Sequence, residues 1–362
     1  MFQLPEYLPP DFSQPAFQNA PCVRIEPVPG DGQLPDEFYA TTIYPEYYKI
    51  DSQWRLLNAP RMDCAVVVKD GVPTAVEPRL VRAGDRVVVG RGENGNYGVF
   101  VDYLGFSRAA EKKKDQSFAF RTGRSRESSY SRDYDMMYEI LRHERDHGYI
   151  VWVLGPAVDF DYDARRAMAS LIRNGYVDAL FAGNALATHD LEAALYHTGL
   201  GQDIYTKELM KNGHYHHLEA INRARRAGSI AQLVQQEGID DGIMAACVKT
   251  DVPFVLAGSI RDDGPLPGVI DNVYQAQDAM RAHTRQATTV VALATQLHTI
   301  ATGNMTPSWQ LRDGKVRPVY FYTIDISEFA VNKLRDRGSL SVRSIVTNIQ
   351  DFLVHAAKNL ID

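Results

Sequence analysis

From about residue 149 onward, short apolar runs alternate with longer segments whose apolar residues recur at helical spacing. Runs such as "YIVWVL" and "VPFVLAG" contain almost no polar residues, which is typical of strands that are buried on both faces. The segments between them, for example "DYDARRAMASLIRNG", have one apolar face and end at glycine. This alternation predicts an α/β fold with a doubly wound, mainly parallel sheet that is covered by helices on both faces.

The same pattern predicts how the chain finishes. "ATTVVALATQL" is a further strand, and its end leads into the loop "QLHTIATGNMTP". "VRPVYFYTIDIS" is predicted to be the last strand of the sheet. Residues 329–338 and 344–361 have helical spacing and are predicted to close the chain as helices.

The residues before the α/β part have a different character. Residues 1–36 contain eight prolines, which excludes long helices and predicts an extended arm that lies over another part of the protein. Residues 37–106 consist of short β-branched and aromatic runs between turn residues, which predicts a small antiparallel β domain. Residues 107–132 are polar and charged and are expected to form a linker or loop, and residues 133–362 form the α/β domain.

Three glycines, Gly90, Gly92 and Gly95, match the G-x-G-x-x-G pattern of dinucleotide-binding proteins and follow the strand "DRVVV". That pattern needs a helix directly after it, because the amides of the first helical turn bind the pyrophosphate. Here "NYGVFV" follows, which has the composition of a second strand. A hairpin loop is therefore the better interpretation.

Composition limits the classes of partner. The formal net charge is -6, and no basic stripe is interleaved with aromatic residues, so neither nucleic acid nor an anionic membrane is expected. No window approaches about 18 uncharged apolar residues, and no basic start is followed by an apolar run. Three cysteines without a C-x-x-C pair argue against a disulfide framework or a zinc cluster. We expect a cytoplasmic protein without a bound metal.

A doubly wound sheet indicates where a ligand binds. Loops at the carboxyl ends of the strands meet the amino-terminal ends of helices, whose amides and dipoles attract anions. In this chain most of those loops begin with glycine or other small residues, and polar residues follow just afterwards. They are "GPAV", "AGNALATHD", "AGSIRDDGPLP", "QLHTIATGNMTP" and "IDIS".

Two of these loops contain the strongest candidates. Gly183, Asn184 and Ala185 permit the close approach of a phosphate or ribose, although they could simply end a strand and cap a helix. In "GSIRDDGPLP", the prolines prevent a regular helix, so at least one of Asp262 and Asp263 is available to bind ribose hydroxyls or a substrate ammonium. A solvated surface turn is the alternative for the second loop.

The histidines and Cys247 have competing interpretations. "GHYHH" at 213–217 lacks a metal-binding partner pattern and is better explained as a mobile lid or a solvated loop. His189 lies in the first turns of a helix and could reach the ligand edge, while His298 could be a site residue or a hydrogen-bonded core histidine. Cys247 lies on an apolar helical stretch and is expected to pack in the core.

Several blocks together closely resemble the archaeal-type, NAD-dependent ornithine cyclodeaminase family, which also forms the C-terminal part of cyanobacterial arginine dihydrolase/ornithine cyclodeaminases. The resemblance covers about residues 38 to 355. Its most specific parts are the paired "AGNALATHD" and "AGSIRDDGPLP" blocks. The other blocks are "GHYHHLEAINRARRAGSI", "DGIMAACVKTDVPFVLAGS", "LHTIATGNM" and "DISEFAVNKLRDRGS".

The resemblance implies a Rossmann-like, deoxyhypusine synthase type of NAD-binding catalytic domain without G-x-G-x-x-G. It implies conversion of L-ornithine to L-proline and ammonia, a step of proline biosynthesis, by a homo-oligomer. The resemblance also implies that NAD would be used catalytically: a hydride would leave the α-carbon, the side-chain amine would displace ammonia from the imine, and the hydride would return. This sequence departs from the family at "HTGLG", at "TKELMKNGH" and at "DFDYDARRAM". NAD binding is therefore expected to transfer better than ornithine specificity.

The candidate residues follow from the strand ends and from the family blocks. For proton transfer, the candidates are Asp262, Asp263, Asp190 and His189, which the sequence does not rank, and Arg261 would contact the substrate carboxylate. The expected cofactor-binding residues are Gly155, Pro156, Gly183, Asn184, Ala185, Gly242, Ile243, Met244, Ala257, Gly258, Ser259, Asn304 and Asp325.

Two other functions remain open on the sequence. The same NAD site would serve a dehydrogenase or imine reductase that acts on another amino acid, which accumulating NADH would reveal. A nucleotide-binding homologue without catalytic activity is the third hypothesis, because the departures from the family surround the expected substrate pocket.

Overall fold

A six-stranded parallel sheet forms the centre of the computed structural model, which describes residues 2–107, 131–260, 262, 264–327 and 341–361. The chain enters the sheet in the middle, adds two strands on one side, and then returns to add three on the other. The resulting order, β12-β9-β8-β13-β16-β17, is the strand order of dinucleotide-binding folds. The predicted doubly wound sheet is confirmed. Its strands are β8 (Ile150–Leu154), β9 (Ala179–Gly183), β12 (Phe254–Ala257), β13 (Thr289–Leu293), β16 (Tyr320–Asp325) and β17 (Val342–Val346).

The central strand β8 shows why its sequence is apolar throughout. All five of its residues are buried, and alternate side chains enter different cores. Ile150, Trp152 and Leu154 belong to one hydrophobic cluster, whereas Val151 and Val153 belong to a second cluster on the other face. A strand that is covered on both faces needs apolar residues at every position.

Helices cover both faces of the sheet. Most end where the sequence predicts, at glycine or shortly before it, and three begin with a side-chain cap from Asp161, Ser229 or Asn272. The helices are Ser131–His147, Tyr162–Arg173, Asn184–Tyr196, His216–Ala227, Ile230–Gln236, Ile243–Lys249, Val273–Thr284, Gln296–Met305 and Ile349–Ile361. Within the described ranges, no helix is long and apolar enough to cross a membrane.

The β-rich part before residue 107 forms two small antiparallel sheets, as the sequence predicts. One has the order β1-β6-β4-β5 and the other has the order β3-β2-β7. The three-glycine loop joins β6 to β7, so a strand and not a helix comes directly after it. β6 and β7 pair with other strands in different sheets, but the loop itself forms the predicted hairpin. Asn94 makes an antiparallel bridge to Phe100, and the amides of Gly95 and Val101 donate to the carbonyls of Val99 and Glu93. The strands are β1 (Arg24–Pro27), β2 (Glu46–Ile50), β3 (Gln53–Leu56), β4 (Ala65–Lys69), β5 (Val72–Val76), β6 (Arg86–Val89) and β7 (Val99–Val101).

The proline-rich arm lies across this β part. The ammonium of Lys49 donates hydrogen bonds to the carbonyls of Phe17, Gln18 and Ala20 at 2.7–3.1 Å. The ring of Phe12 stacks on Trp54 at 5.1 Å. The arm also contains a short helix, Pro15–Gln18, and strand β1. Both elements are four residues long, which is too short for a periodic pattern to reveal them.

The carboxyl-terminal part of the structure differs from the sequence prediction. Residues 342–346 form β17, which follows β16 in the chain and is the edge strand of the sheet, so the prediction that "VRPVYFYTIDIS" is the last strand is wrong. The closing helix begins only at Ile349, so the prediction of a helix from residue 344 is also wrong. Two short antiparallel pairs complete the strands: β10 (Thr198–Gly199) with β11 (Gln202–Asp203), and β14 (Trp309–Arg312) with β15 (Lys315–Pro318) in the segment before β16. The predicted helix at 329–338 and most of the predicted linker, 108–130, lie outside the described residues.

Candidate active site

A cavity of about 320 Å³ opens at the carboxyl ends of four neighbouring strands. Ser259 follows β12, Gly183 ends β9, Gly155 follows β8 and Thr295 follows β13. The chain reverses its direction across the sheet between β8 and β13, and such a reversal leaves a crevice between the loops on either side. The cavity therefore lies where the strand order itself predicts a ligand.

Eight of the residues predicted from the sequence contribute to the cavity wall. They come together because parallel neighbouring strands end at the same edge of the sheet. Other residues also line the cavity. Thr188, His217, Ile221 and Thr295 were not among the predicted site residues, whereas the sequence left His298 open between a site role and a core role. The predicted residues in the wall are Gly155, Pro156, Gly183, Asn184, Ala185, His189, Ser259 and Asp262.

Eight other predicted residues lie outside the cavity wall. Two more, Arg261 and Asp263, lie outside the described residues. The residues that the structure places elsewhere are Asp190, Gly242, Ile243, Met244, Ala257, Gly258, Asn304 and Asp325.

Asp190 supports the fold from behind the cavity. Its carboxylate accepts hydrogen bonds from the amides of Ile243 and Met244 at 2.9 and 2.7 Å. It also forms an ion pair with Arg165 at 2.6 Å, and both side chains are buried. Gly242 fits beside this pair because a Cβ there would lie 2.1 Å from the Arg165 guanidinium. Asp190 and the amides of Ile243 and Met244 therefore hold the start of helix Ile243–Lys249 in place.

Asn304, in the last turn of helix Gln296–Met305, and the strand-end residues Gly258 and Asp325 make contacts of their own. The carbonyl of Asn304 accepts a hydrogen bond from Arg61 of the antiparallel part. The carboxylate of Asp325 accepts one from the amide of Ser327 at 2.8 Å, and the amide of Gly258 donates to Ile270 at 2.8 Å. These hydrogen bonds are internal to the fold, and none of the three residues lies in the cavity wall.

The proline-containing turn is anchored to two helices, Asn184–Tyr196 and His216–Ala227. Asn184 Oδ1 accepts a hydrogen bond from the amide of Leu266 at 2.9 Å. The carbonyl of Pro265 accepts two from Arg225 at 3.0 and 3.2 Å. Within the turn, Asp262 Oδ2 accepts from the amide of Ser259 at 2.9 Å. The turn therefore holds Ser259 and Asp262 at the cavity in a defined position.

Glycine is required where β8 ends. A Cβ on Gly155 would lie 2.0 Å from the carbonyl oxygen of Ala294, which follows β13. The amide of Gly155 donates to the carbonyl of Leu293 at 2.9 Å, so the two chain segments stay in contact just beyond the sheet. This close approach shapes the floor of the crevice.

His189 is the titratable residue whose surroundings favour acid–base chemistry. Its side chain is 13% exposed, and its Nδ1 lies 2.9 Å from Glu192 Oε2, a carboxylate with no exposed surface. The ring lies 5.0 Å from that of Phe160. A histidine whose Nδ1 bonds to a carboxylate has its other nitrogen available for proton transfer. Glu192 was missed by the sequence analysis, although its i, i+3 spacing from His189 is a usable signal.

His298 forms another part of the wall. It lies in the first turn of helix Gln296–Met305, which begins soon after β13, so the prediction that it lies in a strand-end loop is wrong. Burial lowers the pKa of His298 below its usual value. Its Cε1 lies 3.1 Å from the position of a Cβ on Gly183. Burial therefore favours the neutral form of His298 beside the glycine.

The histidines of the "GHYHH" segment have separate surroundings. His216 bonds to Thr198 at 2.9 Å and stacks on Tyr196, whereas His217 lines the cavity. His214 contacts the ring of Tyr215. Among the residues that the structure describes, no group of three His, Cys, Asp or Glu side chains could hold a metal ion.

The strand order, the crevice at the switch point and the amino-terminal end of helix Asn184–Tyr196 define a Rossmann-fold protein of the nucleotide-binding class. The chain belongs to the family described as arginine dihydrolase ArgZ-like, C-terminal: residues 135–356 match its Rossmann fold and residues 45–134 its first region. The family resemblance inferred from the sequence is thereby confirmed.

Similar proteins agree with this assignment. The ornithine cyclodeaminase of Methanopyrus kandleri is 43% identical over 93% of this chain and 78% of its own length. The structure of a conserved putative LOR/SDH protein from Methanococcus maripaludis is similar with a TM-score of 0.83 and 36% identity, and covers 94% of this chain and 98% of that one. The ternary complex of AgrE with ornithine and NAD⁺ is similar with a TM-score of 0.59 and 34% identity, over 95% of this chain and 46% of AgrE.

Proposed function

We propose that this protein is an NAD-dependent ornithine cyclodeaminase, which converts L-ornithine to L-proline and releases ammonia. The observation that carries the proposal is the cavity at the switch point, where an amino-terminal helix end and a carboxylate-bound histidine meet. Support comes from the relative named ornithine cyclodeaminase and from AgrE, whose structure contains ornithine and NAD⁺.

The cavity has the features that a dinucleotide needs. Helix Asn184–Tyr196 points its first turn at the cavity, and its N-cap residue, Gly183, has no side chain to satisfy the amides. Such a helix end suits a pyrophosphate. We therefore assign NAD to Gly155, Pro156, Gly183, Asn184, Ala185 and Ser259. Bound NAD would take a hydride from the substrate α-carbon and later return it, so that no net oxidation occurs.

His189 is proposed to accept a proton from a substrate ammonium group, because an amine must be neutral before it can attack a carbon. The Asp262 carboxylate is proposed to bind the second ammonium group, since it lies in the cavity wall within the anchored turn. His298 would contribute a neutral hydrogen-bonding side chain. Proton transfer by Asp263 and carboxylate binding by Arg261 remain proposals from the sequence, because both lie outside the described residues.

Charge balance explains why the base should be enclosed. L-ornithine carries two ammonium groups and one carboxylate, and the products are zwitterionic proline and an ammonium ion. The overall reaction therefore neither takes up nor releases a proton, and the proton that His189 removes must be returned within the cycle. The small exposed fraction of His189 suits this role, since it limits exchange of the held proton with solvent.

The proposal is tested by incubating the protein with L-ornithine and NAD and analysing the products by mass spectrometry. We expect ammonia and proline in equal amounts, with no accumulation of NADH absorbance. A stoichiometric rise in NADH would identify a dehydrogenase instead. Binding of NAD without release of ammonia from ornithine would reject the cyclodeaminase activity.

We further propose a homo-oligomer that acts in proline biosynthesis in the cytoplasm, with an arm at 1–36, a β domain at 37–106 and a catalytic domain at 133–362. Light scattering of the purified chain would give the mass of the particle, and a monomeric mass would reject the assembly. Limited proteolysis would test the domain limits, because cleavage should occur first between residues 107 and 132.

A further inference from the structure

Glu192 is a buried carboxylate that lies between its own helix and the loop at residues 198–201. It lies in the third turn of helix Asn184–Tyr196 and has no exposed surface. Its Oε1 accepts hydrogen bonds from Thr198 Oγ1 at 2.9 Å and from the Gly201 amide at 3.0 Å. Its Oε2 is shared by His189 Nδ1 at 2.9 Å and the Leu200 amide at 3.3 Å.

These bonds make Glu192 an ionised acceptor. Burial acts to raise the pKa of Glu192, but hydrogen bonds from His189, Gly201 and Thr198 outweigh it and hold the pKa below its usual value. A carboxylate has only acceptor oxygens, so each neighbour must donate to it. His189 therefore carries its proton on Nδ1, and Nε2 is the nitrogen that can accept a proton.

The loop at 198–201 depends on the same carboxylate. It contains Leu200 at φ 53° and Gly201 at φ 77°, and it follows His197 at φ 57°. A left-handed backbone at a residue with a bulky side chain is strained and persists only where neighbouring contacts hold it. The hydrogen bonds to Glu192 supply such contacts. One side chain thus connects the backbone of this loop to the ring of His189.

We propose that Glu192 is a positioning residue for the reaction: it sets the tautomer of His189 and couples the orientation of this histidine to the folded 198–201 loop. This inference rests on the proposed function of His189 as the proton acceptor. Thr198 Oγ1 also bonds to His216 Nδ1 at 2.9 Å, and the ring of the cavity residue His217 lies 6.5 Å from that of His189. The titratable groups that face this network are therefore His189, His216 and His217.

Glu192→Gln tests this role with little change of shape. Thr198 and Gly201 both donate to Oε1, so a glutamine would place its oxygen there and its NH₂ group toward His189. The NH₂ group needs an acceptor, which forces Nδ1 to give up its proton and leaves the proton on Nε2. We expect kcat to fall about 100-fold or more, as for loss of a general base, while the Kd for NAD stays within about twofold.

The decisive readout is the ¹⁵N NMR signal of the His189 ring in the full-length protein with NAD, assigned by its absence in His189→Gln. The wild-type protein should show a protonated Nδ1, and Glu192→Gln should show a protonated Nε2. Glu26→Gln is the control, because Glu26 is a partly exposed carboxylate of β1 that pairs with Arg24 at 3.4 Å and is not part of the cavity wall. It should leave kcat and the His189 signal unchanged.

Thr198→Val and Thr198→Ser keep the proposal testable if Glu192→Gln does not fold. Valine removes one donor to Glu192 at constant volume and is expected to lower kcat several-fold, whereas serine keeps the hydroxyl and should restore it.

The proposal is overturned by a wild-type kcat in Glu192→Gln, by an unchanged His189 tautomer, or by equal turnover of the two Thr198 variants. A wild-type protein that does not turn over ornithine would reject the proposed function alone, since the tautomer measurement would still decide the role of Glu192.

Discussion

Asn184 Oδ1 accepts a hydrogen bond of 2.9 Å from the backbone amide of Leu266, and this bond joins the helix at one wall of the cavity to the proline-containing turn at the other. Asn184 is 5% exposed. Ser259 and Asp262 lie in the same turn and in the cavity wall. The position of two candidate ligand-binding residues therefore depends on an asparagine that lies 82 residues from its partner in the chain.

Asn184→Ala should weaken both stability and cofactor binding. The variant leaves the buried Leu266 amide without an acceptor, which costs about 1–3 kcal/mol. Urea unfolding should show this loss, and titration with NAD should show a Kd raised about tenfold because the turn is no longer anchored. The exposed Asn359→Ala is the matched control. Unchanged NAD affinity in Asn184→Ala would mean that the turn is held by its other contacts.

His189→Gln should abolish most of the turnover without affecting the cofactor. Loss of a general base lowers kcat about 100- to 10,000-fold, and the Kd for NAD should stay within about twofold. His355→Gln, on the exposed side of the closing helix, serves as the comparison and should behave as the wild type. Ammonia release measures both. Comparable kcat values in the two variants would remove His189 from the reaction.

Asp190→Asn should act on stability, in contrast to its predicted catalytic role. It leaves the buried Arg165 guanidinium without its main counter-charge and weakens two helix-terminal hydrogen bonds, at a cost of about 3–5 kcal/mol. Asp241 pairs with the same arginine, but its side chain is 47% exposed, so Asp241→Asn should cost less than about 1 kcal/mol. The free energy of unfolding in urea distinguishes them. A fully stable but inactive Asp190→Asn would restore the catalytic interpretation.

Stability should fall as the pH rises through neutrality because of Glu46. Burial raises the pKa of Glu46 from 4.5 to about 7, although hydrogen bonds from Tyr48 and Thr42 act in the opposite direction. The folded state therefore holds a proton that the unfolded state has lost, and the stability present below pH 4.5 decreases until the pH exceeds about 7. The full effect is about 3 kcal/mol.

Glu46→Gln should remove that part of the pH dependence. The difference in unfolding free energy between pH 5 and pH 8 should be smaller in this variant than in the wild type. Glu26→Gln, a partly exposed carboxylate in β1, should retain the wild-type difference. An unchanged difference in Glu46→Gln would place the titration elsewhere.

One thiol should react in the native protein and three after unfolding. Cys22 is exposed, whereas Cys64 and Cys247 are buried, and all three are free. Burial raises the pKa of Cys64 to about 11 and that of Cys247 to about 12, so both remain unreactive thiols at pH 8. A thiol-specific chromogenic reagent counts them with and without denaturant. Cys22→Ser should show no fast reaction, and two fast thiols in the native wild type would contradict the burial of one cysteine.

The sheet could be predicted because its signal is local. The apolar run that becomes β8 and the glycine-ended helices around it have lengths and periods that few other folds accommodate. Once the sheet is parallel, the residues after neighbouring strands must meet, and Gly183, Asn184 and Ser259 do so. The edge strand β17 could not be predicted in this way, because its partly exposed Arg343 and Ser344 interrupt the apolar pattern.

The direction of each side chain could not be predicted from neighbours in the sequence. His189 and Asp190 are adjacent, but successive helical residues point about 100° apart. His189 therefore lines the cavity, while Asp190 points to a second helix. In the sequence, His189 and Glu192 have the i, i+3 spacing of an ordinary surface pair. In the structure, the 198–201 loop covers Glu192.

The sequence by itself determined the class of fold and the edge of the sheet where the cavity lies, because periodicity and strand-end composition are encoded within short segments. The family followed from the resemblance of several sequence blocks. Only the tertiary structure decided which polar residues support the fold and which face the cavity. Asp190 meets Ile243 across 53 residues, and Asn184 meets Leu266 across 82. Hydrogen bonds between residues so far apart in the sequence form only when the two segments pack together. Burial makes an unpaired polar group costly, so each buried polar group must find a partner in the packed structure.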